Sequence, residues 1–115
     1  MGARGNIVIV QQASDNDLYF YTHWNGYKLP KTLKEALIRG KNRWNDEPYL
    51  ARIIFCEMIK DDLMEETGFG ISTYECDNNH ENLVVDVDKQ TVQWQDNVWS
   101  FAEYVELVGD TIPEF

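Results

Sequence analysis

The nine residues Tyr19-Phe20-Tyr21-Thr22-His23-Trp24-Asn25-Gly26-Tyr27 carry five aromatic rings and one imidazole. Rings at this density can hold a flat ligand by stacking, at about 1–3 kcal/mol per stacked base. Cations nearby can neutralise a phosphate through charge-assisted hydrogen bonds. Tyr19, Tyr21, His23, Trp24 and Tyr27 are the candidates for stacking and orientation, and Arg4, Lys28, Lys31 and Arg43 are the candidates for charge. The same rings also suit a central strand covered on both faces, by helices on one and by a partner subunit on the other.

Other constellations offer different chemistry. Asp61, Asp62, Glu65 and Glu66 crowd one short stretch and could meet a basic partner, in the manner of a nucleic-acid mimic. His23 with a carboxylate such as Glu57 could form an acid–base pair for hydrolysis or transfer. Gly68-Phe69-Gly70 lacks the third glycine and the strand-to-helix setting of a dinucleotide fingerprint. Asp77-Asn78-Asn79-His80-Glu81 lacks the glycine and distal glutamate of a calcium loop and reads as a polar turn. His23 and His80 share no zinc-binding spacing, and Cys56 and Cys76 have no CxxC pattern. Cys56 reads as inert packing on a helical stripe. No catalytic set, metal or cofactor is therefore expected.

Charge narrows the partners. The 115 residues sum to −10, yet residues 1–56 hold eight Lys/Arg against five Asp/Glu, and residues 57–115 hold two against fifteen. General DNA or RNA binding is disfavoured by that total, whereas the basic half can contact a small anion and the acidic half a basic protein. No apolar run approaches the roughly 20 residues of a membrane span, and no apolar leader resembles a secretory signal. Free thiols then point to a cytoplasmic setting.

The elements that must position these residues follow from pattern. Asn6–Gln12 is a β-branched run of strand type, Ala13–Asp17 a turn, and Leu18–Trp24 a second strand forming an antiparallel hairpin with the first. Alternation puts Leu18, Phe20, Thr22 and Trp24 on one face, and Tyr19, Tyr21 and His23 on the other. Asn25-Gly26 turns the chain, and Pro30 opens a helix whose stripe is Leu33, Ala36, Leu37, Gly40 and Trp44. Asp46 is placed to cap a second helix from Pro48 to about Glu65, with Leu50, Ile53, Ile54, Met58, Tyr49 and Leu63 buried and Glu57 among its exposed carboxylates. Gly68–Tyr74 reads as a strand, Leu83–Val87 and Thr91–Trp94 as a hairpin across Asp88-Lys89-Gln90, and Ser100–Val108 as a closing helix. The order ββααβββα predicts one α+β domain over residues 1–115, an antiparallel sheet of about five strands with helices on one face.

Arg4-Gly5-Asn6-Ile7, Tyr21-Thr22-His23-Trp24-Asn25-Gly26, Leu29-Pro30, Tyr49-Leu50-Ala51-Arg52-Ile53 and Thr67-Gly68-Phe69-Gly70-Ile71 together resemble a widespread family of small uncharacterised proteins encoded by bacteria and their phages. The resemblance spans about residues 4–108 and brings no established activity. In size and type the chain is also similar to phage proteins that block host immunity by sequestering nucleotide signals between aromatic and basic side chains. That analogy implies a homo-oligomeric, non-catalytic binding protein for a small anionic, nucleotide-like ligand. An acidic protein–protein inhibitor is the alternative.

Overall fold

The computed structural model describes residues 3–76, 78 and 80–113. Its elements run β1 (Gly5–Val10), β2 (Leu18–Thr22), α1 (Leu29–Arg39), α2 (Glu47–Ile59), β3 (Phe69–Ser72), β4 (Leu83–Asp86), β5 (Thr91–Trp94), β6 (Asn97–Ser100) and α3 (Phe101–Val105), with short 3-10 turns at Gly26–Lys28 and Lys41–Arg43. The α+β class holds. The sheet, however, has six strands in the order β3-β2-β1-β4-β5-β6 and is mixed, because β1 and β4 run parallel with Ile7 opposite Leu83 and Ile9 opposite Val85. Pairing on both sides makes β1 the central strand. Asn6, Ile7, Val8 and Ile9 are accordingly all buried, as a strand covered on both faces requires.

One face carries the main core. Ile7, Ile9, Phe20, Leu83, Val85 and Val92 meet Leu29, Leu33, Ala36 and Leu37 of α1, Leu50, Ala51, Ile54 and Met58 of α2, and Phe101 and Tyr104 of α3. The predicted stripe of α1 is thus the buried one, and Gly40 lies beneath Leu50 and Ile53. Trp44 hangs from the Leu37 carbonyl through its indole Nε1, at 2.9 Å. Tyr104 is buried with its hydroxyl donating to the Pro30 carbonyl at 2.8 Å, and burial raises the pKa of that phenol. Asp46 caps α2 as expected, accepting from Tyr49 N. Ser100 and Glu103 form a reciprocal capping box on α3.

Several boundaries differ from the pattern reading, each for a local reason. The second helix ends at Ile59 rather than near Glu65, so Leu63 is exposed. A longer helix would hold Asp61, Asp62, Glu65 and Glu66 at its negative end, which the helix dipole opposes. The last helix is five residues long rather than nine, leaving Val108 exposed, because Asn97–Ser100 is taken up by β6. The second strand stops at Thr22, and Trp24 is 36% exposed instead of sharing the core with Phe20. Cys56 is exposed rather than packed in the α2 stripe, as is Tyr49. Asp77 and Asn79 of the expected polar turn lie outside the described residues.

Candidate functional site

The helix-free face of the sheet holds the first group of candidates. The register sets Tyr21 opposite Asn6 and Tyr19 opposite Val8, so these four side chains share the face away from the helices. Tyr19 and Tyr21 are half-buried. The Tyr21 hydroxyl and His23 Nδ1 lie 2.9 Å apart, in a hydrogen bond whose direction depends on the imidazole tautomer. Trp24 has left this group. Its ring stands edge-on to Phe69 at 5.8 Å and edge-on to His23 at 6.3 Å. Arg4 is half-buried just before β1.

Asn6 is fully buried, and neither its Oδ1 nor its Nδ2 has a hydrogen-bond partner. An unsatisfied buried amide costs about 1–3 kcal/mol. Replacing it with an apolar β-branched residue removes that cost and favours the strand. The Asn6→Val protein is therefore expected to be more stable by about 1–2 kcal/mol in urea unfolding. A loss of stability would mean that the amide is satisfied in solution.

A second region brings together members of all three sequence-level sets. Tyr27, Lys28, Lys31, Glu35, Glu57, Lys60, Asp61 and Asp62 line a cleft of about 500 Å³ between α1 and the end of α2. Glu57 is buried here, not exposed as its helical position suggested, and it is tied at both oxygens. Arg39 Nη2 lies 3.0 Å from Oε1 and Lys60 Nζ 2.7 Å from Oε2. The hydrogen bond to Glu57, and then its charge, raise the pKa of Lys60. Three cations facing four carboxylates give this cleft no preference for an anion. His23 is not among its lining residues, so the acid–base pair of His23 with Glu57 is not assembled there.

The third region is a groove of about 490 Å³ lined by Arg43, Tyr49, Arg52 and Ile53. Tyr49 and Arg52 are one turn apart on α2 and so share a face. The 3-10 turn before α2 brings Arg43 over them, with its guanidinium carbon 5.1 Å from the Tyr49 ring centroid. Tyr49 is 57% exposed, and among the described residues neither arginine is in an ion pair. No carboxylate lines the groove. Two guanidinium forks beside an exposed ring can grip a phosphate or carboxylate and stack a flat group.

Of the charge candidates, the structure therefore places Arg43 in an anion-compatible groove, Lys28 and Lys31 in a mixed cleft, and Arg4 beside the helix-free face. Asp61 and Asp62 line the mixed cleft, while Glu65 and Glu66 lie on the exposed segment after it. Pattern reading missed Tyr49 and Arg52, though their three-residue spacing was a usable signal. No protein-family model, curated protein or solved structure matches the chain, so the family resemblance stands on its residue pattern alone.

Proposed function

We propose that this is a non-catalytic binding protein that captures a small anionic, nucleotide-like ligand. One observation carries the reading: in a chain of net charge −10, Arg43 and Arg52 frame an exposed Tyr49 in a groove without a carboxylate. The anionic group would bridge the two guanidinium groups, and a base or other flat group would lie on Tyr49. Sequestration lowers no reaction barrier and so needs no acid–base set. It suits a phage counter-defence role of the type the resemblance implies. Assembly into a homo-oligomer belongs to the same proposal, since each repeated groove adds capacity.

Linear and cyclic nucleotides, tested by calorimetry and thermal unfolding, decide the matter. Ligand at a hundred times Kd stabilises the folded state by about 2.7 kcal/mol, which is roughly a 10 °C rise in Tm for a domain of this size. The heat should be saturable and should weaken with salt. If no nucleotide gives heat or a shift at millimolar concentration, the proposal fails.

A further inference from the structure

The sheet has one uncovered edge. On the far side, β6 runs beside Asp110–Pro113, which share a groove with Asn97 and Trp99. At the other end β3 pairs only with β2. His23 N donates to Gly68 O at 2.8 Å, so by antiparallel alternation Gly68, Gly70 and Ser72 turn their backbone groups toward β2, and Phe69 and Ile71 turn theirs outward. Natural edges are blunted by lysine, proline, a bulge or a cover. Residues 67–74 contain no lysine or proline, and the four-residue ladder is unbulged. Ile71 is 57% exposed beside it.

Charge decides what fits this edge. Glu65 and Glu66 precede β3, Glu75 follows it, and all three are exposed. A second copy paired through β3 would bring two such acidic borders together. An extended segment with lysine or arginine at alternate positions would meet them with opposite charge while its backbone completed the ladder. We infer that the outer edge of β3 docks an extended basic strand of a partner protein. This interaction is independent of the Arg43–Tyr49–Arg52 groove.

The test uses a fluorescent seven-residue peptide alternating lysine and valine. Its controls are the same peptide N-methylated at alternate residues and a version with glutamate for lysine. The intact protein should bind the first peptide at least tenfold more tightly than either control. Ile71→Pro removes an outward N–H, a position where an edge strand tolerates proline, and should weaken binding at least tenfold. Ile71→Lys, which keeps the backbone donor, should also weaken it and serves if the proline variant does not fold. Equal binding of the N-methylated peptide, or unchanged binding to Ile71→Lys, would reduce the effect to diffuse electrostatics and overturn the inference. A wild-type dimer in sedimentation that Ile71→Lys converts to monomer would also overturn it, by assigning the edge to a second copy.

Discussion

The Gly68→Ala protein is expected to be about 3–5 kcal/mol less stable than the wild type. Two effects combine at this residue. Its φ of +96° is open to glycine and strained for any residue with a Cβ, at about 1–3 kcal/mol. A Cβ built there also overlaps Trp24 Cη2, Cζ2 and Cζ3. The ring cannot slide freely, because it stands against Phe69, and the backbone is held by the bond from His23 N to Gly68 O. Swinging Trp24 into water would relieve the clash and surrender its packing. Chemical denaturation followed by tryptophan fluorescence measures both outcomes. A loss under 1 kcal/mol would show that the Trp24–Gly68 contact is looser in solution.

The second large effect concerns the groove. Alanine at either arginine, Arg43→Ala or Arg52→Ala, is expected to weaken nucleotide binding by about 10–100-fold. A hydrogen bond to a charged group contributes about 1.5–3 kcal/mol, and 1.4 kcal/mol is a factor of ten. The two losses need not add, because both guanidinium groups would hold one anion. Lys31→Ala is the matched control. Lys31 lies in the cleft with Glu35, Glu57, Asp61 and Asp62, so its loss should change affinity less than threefold. Neither arginine is in an ion pair among the described residues, so both variants should fold with near wild-type stability. An Arg52→Ala protein that binds as well as the wild type would remove the groove from the account.

The features legible in the sequence were those specified locally. The α1 stripe, the Asp46 cap and both hairpins depend on residues a few positions apart. The parallel pairing of β1 with β4 joins residues about 76 apart, Ile7 with Leu83, and no local pattern encodes it. A hint was present, since Asn6–Val10 does not alternate and so suits a strand buried on both faces. Strand β6 escaped notice because its hairpin turns at Gln95-Asp96, with Gln95 at φ +55°, where Asn-Gly would be the recognisable signal. The burial of Glu57 depends on Arg39 reaching across from α1, which the pattern of α2 alone cannot reveal.

The site followed the same division. The aromatic stretch 19–27 drew attention by its composition, yet the fold disperses it. Tyr19 and Tyr21 go to the helix-free face, Trp24 goes to Gly68, and Tyr27 goes to the mixed cleft. Arg43 and Tyr49 sit on opposite sides of the Asn45–Asp46 break and meet only because the turn before α2 folds back. Composition located the chemistry, and the helix junction assembled it.

Chemical-shift mapping of the isotope-labelled protein with added nucleotide tests the central claim most directly, because it separates the three regions in one titration. The account predicts saturable shifts centred on Arg43, Tyr49, Arg52 and Ile53. Shifts confined to Tyr19, Tyr21 and His23, or none at millimolar nucleotide, would contradict it.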